Sequence, residues 1–158
     1  MYPVSIIIVT HFSRHEIAAC LHSICEQTGV AFELIIWDNA SKDETCKEIE
    51  RFLKSSSLPI PNITLVRNSE HQDFSLAINQ AIKLAKGNYV LPLKTNELFK
   101  DSSELANLVA HTEQLTIKPV ITEFMKNGPV SAKKPNIMMR LLSVFCSTTP
   151  QKTLYIRN

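Results

Sequence analysis

The sequence predicts a single α/β domain with a mostly parallel, twisted sheet flanked by helices on both faces. Two observations support this fold class. Short apolar runs rich in β-branched residues recur without polar alternation, as is typical of strands covered on both faces. Between them lie segments whose apolar residues repeat at helical spacing. The resulting order, β-α-β-α-β-α-β-α, favours parallel strands, because a helix after each strand can carry the chain back across the sheet.

The predicted strands alternate with the predicted helices. The first strand, 4–10, is almost continuously apolar, and so is the second, 32–37. The third covers 63–66 and the fourth 88–93. Pro92 lacks the N–H group that a central strand uses for pairing, so it leaves the extent of the fourth strand open.

Each predicted helix carries one apolar stripe. The stripe residues are Ile17, Cys20, Leu21, Ile24 and Cys25; Thr45, Ile49, Phe52 and Leu53; Phe74, Ala77, Ile78, Ala81, Ile82 and Ala85; and Leu105, Leu108, Val109 and Thr112. Ser41 with Glu44, and Asp101 with Glu104, have the spacing of capping boxes that open the second and fourth helices. Gly87 is a natural stop after the third helix.

Beyond Lys118 the pattern is weaker. We predict a strand at 119–124, a turn at 127–129 and a last strand at 153–156. An apolar stripe at 137–145 follows two lysines and favours an amphipathic helix. That helix either packs in the core or binds a membrane surface or a partner. No internal repeat or domain boundary is evident, so residues 1–158 are predicted to form one domain.

Composition excludes several classes of function. A formal charge of +2 is too small to indicate a nucleic-acid partner. The sequence shows no basic leader and no apolar run long enough for a membrane span, so we expect a cytoplasmic location. The glycines are too far apart for a phosphate-cradling loop. The four cysteines, Cys20, Cys25, Cys46 and Cys146, have no metal-binding spacing. Cys20 and Cys25 lie on one helical stripe and are expected to be reduced core residues.

One carboxylate stands where the predicted second strand ends. The apolar run 34–37 is followed at once by Asp38, and a predicted helix begins shortly after it. Open α/β sheets bind ligands at the carboxyl ends of their strands. Asp38 is therefore either a ligand-binding residue or only a cap for the following helix.

Several segments resemble family 2 glycosyltransferases. The run V-S-I-I-I-V-T at 4–10 resembles that family's V-S-I-I-I-V-T-Y-N, and L-I-I-W-D-N-A-S-K-D-E-T at 34–45 resembles I-I-V-V-D-N-G-S-T-D-G-T. The segments 66–68, 74–81 and 85–93 resemble its V-I-R-N, G-F-A-A-A-R-N-x-G and A-R-G-E-Y-V-L-F-L. The resemblance covers about the first hundred residues. It implies a GT-A fold whose nucleotide-sugar-binding half is 1–100, followed by a reduced part at 101–158.

The resemblance also implies roles for individual residues. Thr10 and His11 would lie beside the nucleoside, and Asp38 would accept a hydrogen bond from the base, as in users of uridine nucleotides. Asn39 and Asp43 would shape the loop after the second strand. The implied partner is therefore a nucleotide-sugar such as a UDP-sugar. Phe12 departs from the pattern, because the family usually has Asn there.

The implied metal site is degenerate. Family members hold Mn²⁺ or Mg²⁺ with an Asp-x-Asp motif after the fourth strand, but Lys94 and Asn96 occupy those positions here. A lysine repels a cation, and Asn96 with Glu97 alone makes a poor site for a hard metal ion, so we assign no metal ligand. Lys94 either replaces the metal as a counter-charge for the diphosphate or is a solvated lysine at a decayed site. Asp73, in place of a glycine, is also unfavourable near a diphosphate.

The resemblance does not decide whether the chain is catalytically active. The family's base would deprotonate the acceptor hydroxyl; Glu113 and Glu123 are candidates, but neither lies in a recognisable motif, so the catalytic residue is not assigned. Three alternatives stay open. The chain is an active, inverting transferase that is metal-independent or weakly metal-dependent, a domain that has lost catalysis but still binds nucleotide, or an interaction module of a larger glycan-assembly protein. It is either a compact version of the family or one domain of a longer protein.

Overall fold

The computed structural model describes residues 3–55, 62–114 and 155–156. Within them the chain alternates strands and helices, as predicted. The elements are β1 (Val4–Thr10), α1 (Ile17–Cys25), β2 (Phe32–Asp38), α2 (Thr45–Ser55), β3 (Asn62–Arg67), α3 (Phe74–Leu84), β4 (Tyr89–Leu93), α4 (Glu104–Gln114) and β5 (Tyr155–Ile156). These strands form one sheet in the order β3-β2-β1-β4-β5. The first four are parallel, and β5 runs antiparallel to β4.

The sheet is covered by helices on both faces, which explains why β1 and β2 show no polar alternation. One face packs against α1, α2 and α4, and its centre contains Ile6, Ile8 and Leu34. The opposite face packs against α3 and contains Ile7, Ile35 and Trp37. Successive strand residues point to opposite faces, so both sets must be apolar. The predicted fold class is confirmed.

The predicted helical stripes face the core with one exception. Phe74 begins the third stripe in the sequence, but its side chain is 53% exposed. It is the first residue of α3, and the stripe is buried only from Ala77 onward. The prediction for Phe74 was therefore wrong: its position in the first turn places it beyond the part of the helix that the sheet covers.

The structure describes the start of both helices for which a capping box was predicted. The Ser41–Glu44 capping box does not form: α2 begins at Thr45, whose N–H donates to Asp43 Oδ1 over 3.1 Å. Ser41 Oγ instead accepts a hydrogen bond from the backbone of Phe12, 29 residues earlier. At the start of α4, Asp101 Oδ1 accepts the N–H of Ser103 over 2.8 Å, and Glu104 Oε2 accepts the N–H of Lys100 over 2.6 Å.

Pro92 is accommodated because β4 is only partly covered on its outer side. Among the described residues, β5 pairs with Tyr89 and Val90 and does not reach Pro92. On the other side β4 pairs with β1 along its whole length. Proline is tolerated in a strand where no neighbour needs its N–H.

A buried polar network closes the amino edge of the sheet. Ser5 Oγ donates to Glu33 Oε1 and accepts from the N–H of Gly87 over 2.8 Å. Glu33 also accepts the N–H of Lys86, so its buried carboxylate is well supplied with donors. α3 ends at Leu84, three residues before Gly87, which is therefore not the helix stop that we predicted. Gly87 instead allows the backbone to approach Ser5 closely.

Several predictions lie outside the described residues: the strand at 119–124, the turn at 127–129, the helix at 137–145 and Glu123. The predicted last strand is described only as β5. No helix in the described part of the chain has the length and apolar character needed to cross a membrane.

Candidate active site

The register of the sheet brings the ends of neighbouring strands together. Thr10 pairs with Asp38, and Asp38 pairs with Arg67, so β1, β2 and β3 end side by side. Ile8 pairs with Leu93 on the other side of β1. The loops that follow these strands therefore meet at the carboxyl edge, which is where ligands bind in open α/β sheets.

Asp38 is the buried anchor of this edge. Its side chain is only 2% exposed. Oδ1 accepts a hydrogen bond from Thr10 Oγ1 over 2.9 Å, and Oδ2 accepts one from the N–H of Ser41 over 3.1 Å. Asp38 thus stabilises the turn that follows β2 and does not cap α2. The thiol of Cys46 also hydrogen-bonds to Asp38. A carboxylate has about four acceptor positions, so these three bonds leave it about one further position.

The carboxylate of Asp38 also affects the pKa of the Cys46 thiol. Burial raises the pKa of Cys46, and the hydrogen bond to Asp38 and its negative charge raise it further, to about 11. Cys46 therefore keeps its proton at neutral pH.

Asn39 connects three loops. It is 2% exposed, and its side chain pairs with the backbone of Gln72 in both directions: Nδ2 donates to Gln72 O over 2.7 Å, and Gln72 N–H donates to Oδ1 over 3.0 Å. Its own N–H donates to Thr10 O, and its carbonyl oxygen accepts from His11 Nδ1 over 2.9 Å. Asn39 therefore fixes the loop at 68–73 against the loop after β1.

Aromatic rings lie on the surface at this junction. The rings of His11 and His71 have centroids 4.2 Å apart, and those of His11 and Phe12 are 4.3 Å apart in a T-shaped contact. All three side chains are exposed. Phe12 has a positive φ of 52°, which is unusual for an aromatic residue. We call these three residues the ring platform.

The start of α2 is tied to the β1–α1 loop. Thr45 Oγ1 accepts the N–H of Ser13 over 2.9 Å and donates to Asp43 Oδ1. Burial alone would raise the pKa of Asp43, but hydrogen bonds from Thr45 and from the backbone N–H groups of Arg14 and Asp43 outweigh it and lower the pKa below its usual value. Asp43 therefore supports the loop as a charged cap.

The segment after β4 forms a compact turn. Glu97 N–H donates to Lys94 O over 3.0 Å, and Lys94 N–H donates to Glu97 Oε2 over 3.0 Å. Thr95 is buried, and its hydroxyl lies 3.3 Å from Ser13 Oγ and 3.0 Å from Glu16 Oε2. Lys94 and Asn96, on either side of Thr95, are exposed. The turn is thus anchored to the β1–α1 loop through Thr95.

Comparison with known proteins identifies the family. The family model described as "Glycosyl transferase family 2" matches residues 5–154. The chain belongs to glycosyl transferase family 2. This result confirms the resemblance drawn from the sequence.

Individual relatives agree with this membership. A UDP-Glc:alpha-D-GlcNAc-diphosphoundecaprenol beta-1,3-glucosyltransferase of Escherichia coli is 30% identical over 98 residues, which cover 62% of this chain and 36% of that protein. The solved mannosyltransferase of Pyrobaculum calidifontis, in complex with GDP-Man and Mn²⁺, is 25% identical with a TM-score of 0.68, and the match covers 78% of this chain and 37% of that one. S. aureus TarS 1-349 in complex with UDP-GlcNAc is 22% identical with a TM-score of 0.61, covering 70% and 31%. The chain spans about a third of the length of these proteins.

The residues of this family 2 domain do not fit a divalent metal ion after β4. Lys94 brings a positive charge, and Glu97 Oε2 is already bonded to the Lys94 N–H. Among the described residues, no group of three or more His, Cys, Asp or Glu side chains is arranged to hold a metal ion. We therefore derive no chemical step through a metal.

The structure brings together most of the residues that the sequence singled out. Thr10, His11, Asp38 and Asn39 contact one another directly, and Asp43 joins them through Thr45 and Ser13. Lys94, Asn96 and Glu97 lie in the turn anchored to the same loop. Glu113 is exposed near the end of α4.

Sequence reasoning missed two members of this edge. His71 contacts Asn39 and His11, and Gln72 pairs with Asn39, although the sequence analysis singled out neither residue. Their position in the loop after β3 could have indicated them, because β3 neighbours β2 and the carboxyl ends of parallel strands meet at one edge.

Proposed function

We propose that this family 2 domain binds a nucleotide-sugar at the carboxyl edge of its sheet. The observation that carries the proposal is the network around Asp38 and Asn39. It locks the loops after β1, β2 and β3 together and leaves the ring of His11 exposed beside a buried carboxylate. Small-molecule sites typically combine a few precisely placed polar groups with aromatic and apolar side chains.

Each predicted residue has a role in this proposal. Asp38 would accept a hydrogen bond from the base, with Thr10 holding the carboxylate in place. His11 would lie beside the nucleoside. Asn39 and Asp43 would hold the loops through the bonds that their side chains form with the backbone.

The relatives support a nucleotide-sugar as the class of ligand. The printed descriptions name UDP-Glc for the Escherichia coli relative, GDP-Man for the mannosyltransferase and UDP-GlcNAc for TarS. We propose a UDP-sugar because an aspartate in the position of Asp38 is implied to meet the base in users of uridine nucleotides.

We propose that binding does not depend on a divalent cation. A diphosphate needs positive charge nearby, and Lys94 is an exposed ammonium that forms no ion pair with another described residue. It follows β4 directly, beside β1, in a turn fixed by Glu97 and Thr95. A lysine can bind phosphate as a point charge.

A second candidate is a nucleotide-binding domain without transferase activity. The observation that favours it is the same turn, where Lys94 and Asn96 replace the paired carboxylates and Glu97 is bonded within the turn. Glu113, the one candidate base in the part of the chain that the structure describes, lies exposed near the end of α4.

Calorimetric titration tests the proposal. UDP, UDP-glucose, GDP and GDP-mannose are titrated with Mn²⁺ and with EDTA. We expect UDP ligands to bind equally well in both conditions. Binding that requires Mn²⁺ would contradict the metal-free site, and failure of all four ligands to bind would refute the proposed function in favour of an interaction module.

Variants then separate the roles of Lys94. Lys94→Ala should weaken UDP binding strongly if the lysine neutralises the diphosphate. Lys83→Ala is a matched control, because Lys83 is an exposed lysine in the last turn of α3, at the opposite edge of the sheet. Equal binding by both variants would identify Lys94 as a solvated lysine at a decayed site. Release of glucose from UDP-glucose, or its transfer, distinguishes an active transferase from the second candidate.

A further inference from the structure

One polar stripe of α1 holds the segment that follows β4. Its members are Glu16, at the N-terminal cap position, Cys20 and Ser23. Their spacing of four and then three residues places them on one face of the helix. Each of them hydrogen-bonds to the chain at 94–99, which lies 74 to 79 positions further along the sequence. The segment after β4 is therefore built against α1.

Thr95 forms the strongest of these links. Its side chain is buried, and its Oγ1 lies 3.0 Å from Glu16 Oε2 and 3.3 Å from Ser13 Oγ. A hydroxyl has one proton to donate, and the carboxylate is both the nearer and the charged acceptor. Thr95 therefore donates to Glu16, and this hydrogen bond is charge-assisted.

Glu16 does not serve its own helix as a side-chain cap. It stands at the position where Ser, Thr, Asp or Asn usually bonds to the first turn, but its side chain forms no capping hydrogen bond with α1, a helix that the structure describes in full. Its carboxylate instead accepts the proton of Thr95. The contact that this side chain makes is thus directed at the turn after β4.

Cys20 and Glu97 fix the backbone of the same turn. Cys20 Sγ lies 3.8 Å from Lys94 O and 3.7 Å from Glu97 O. Lys94 N–H donates to Glu97 Oε2, and Lys94 O accepts the N–H of Glu97. Both backbone polar groups of Lys94 are therefore bonded, while its side chain is exposed.

A fixed backbone matters for the work of a lysine. Its ammonium is a point charge on a flexible four-carbon stem. Ordering such a side chain, and any mobile backbone that carries it, costs free energy when a ligand binds. Because the turn is already held, only the side chain of Lys94 has to be ordered.

We propose that Glu16, through Thr95, positions the turn at 94–97 so that the Lys94 ammonium meets the diphosphate of the bound nucleotide-sugar. This inference rests on the proposed function, in which Lys94 is the counter-charge. It adds two positioning residues that act through Lys94, neither of which the sequence analysis singled out.

Calorimetric titration of the full chain with UDP tests the link between Thr95 and Glu16. Thr95→Val keeps the shape of the side chain but removes the donor, and we expect it to weaken binding about tenfold. Thr95→Ser keeps the hydroxyl and should bind within about twofold of the wild type. Glu16→Ala should resemble Thr95→Val, whereas Glu16→Gln keeps an acceptor oxygen and should bind more tightly than Glu16→Ala. Glu26→Ala is the matched control, because Glu26 is an exposed glutamate at the other end of α1, and it should bind like the wild type.

Two further measurements separate positioning from general support of the fold. Uridine carries no phosphate, so its affinity, measured by NMR titration, should be the same for Thr95→Val and the wild type. In the Lys94→Ala protein, Thr95→Val should cause no further loss of UDP affinity, because residues that act through one contact are not additive. The circular dichroism spectrum of each variant verifies that it is folded, and Glu16→Ala, at an exposed position, serves if Thr95→Val does not fold.

The outcomes separate this inference from the proposed function. Wild-type UDP affinity in Thr95→Val and Glu16→Ala, equal losses for UDP and uridine, or additive losses with Lys94→Ala would overturn the positioning role while leaving nucleotide binding intact. Wild-type affinity in Lys94→Ala would overturn it as well. Failure of the wild type itself to bind any nucleotide would overturn both proposals.

Discussion

Replacing Gly87 by alanine should destabilise the protein through a clash with the backbone of β1. A Cβ at this position would lie 2.6 Å from Ser5 N, 2.7 Å from Val4 C and 2.8 Å from Ser5 Oγ. Two of these atoms belong to the backbone of β1, which pairs with both β2 and β4. The strand cannot move away from Gly87 without breaking those ladders.

The magnitude follows from two contributions. Forcing an extra methyl group into a packed interior typically costs about 1–3 kcal/mol. Any shift that relieves the clash lengthens the hydrogen bond from Gly87 N–H to Ser5 Oγ, which contributes about 1 kcal/mol. We expect the free energy of unfolding to fall by about 3 kcal/mol, a large part of the 5–15 kcal/mol that is typical of a folded domain. The melting temperature should fall by about 6–12 °C for a chain of this size.

Urea unfolding followed by circular dichroism measures this loss. Asn88→Ala, at the exposed adjacent position, is the control and should stay within about 0.5 kcal/mol of the wild type. Ser5→Ala removes the hydroxyl but leaves both backbone contacts, so Gly87→Ala should still destabilise the Ser5→Ala protein. Gly87→Ala with wild-type stability would refute the close approach between the α3–β4 turn and β1.

Three further predictions concern the carboxyl edge. Thr45→Val removes the acceptor for Ser13 N–H and the donor to Asp43, and should lower the free energy of unfolding by about 1–2 kcal/mol in urea; an unchanged midpoint would contradict these bonds. Because the pKa of Cys46 is raised to about 11, its alkylation by iodoacetamide, followed by peptide mass spectrometry, should stay slow at pH 9 in the folded protein and accelerate towards pH 11; Asp38→Asn should accelerate it at lower pH. The pKa of Asp43 is lowered, so its contribution to stability is present above the unfolded value near 3.8 and is lost as the pH falls through the lower folded value; Asp43→Asn should remove that part of the acid sensitivity measured by urea unfolding between pH 2 and pH 5.

The fold could be predicted from the sequence because the two patterns that indicate it, continuous apolar runs and helical apolar stripes, are local and strong. Continuous apolar runs such as 4–10 predict strands covered on both faces, and the structure buries them between α3 on one side and the other helices on the opposite side. Asp38 was singled out because it ends a buried strand, and Thr10 through the family resemblance; the parallel order then brings these two strand ends together. Their contact is a consequence of register.

The details of the site were not predictable because its partners are distant in the chain. Ser41 and Glu44 have the spacing of a capping box, but the hydroxyl of Ser41 bonds to Phe12, which no local pattern reveals. The contact of His71 with His11 likewise depends on the paired hydrogen bonds between Asn39 and Gln72. A short motif describes one loop, whereas this edge is built from several.

The pairing of Asn39 with Gln72 also has a consequence for the order of folding. The bonds that define the edge join residues 28 to 33 positions apart, from Thr10–Asp38 to Asn39–Gln72. Contacts of this sequence separation form only after the chain has closed the intervening loops. A ligand bound there would therefore select the state in which β1, β2 and β3 are already aligned. Its binding free energy would add to the stability of the whole parallel sheet and would slow hydrogen exchange in strands that it never touches.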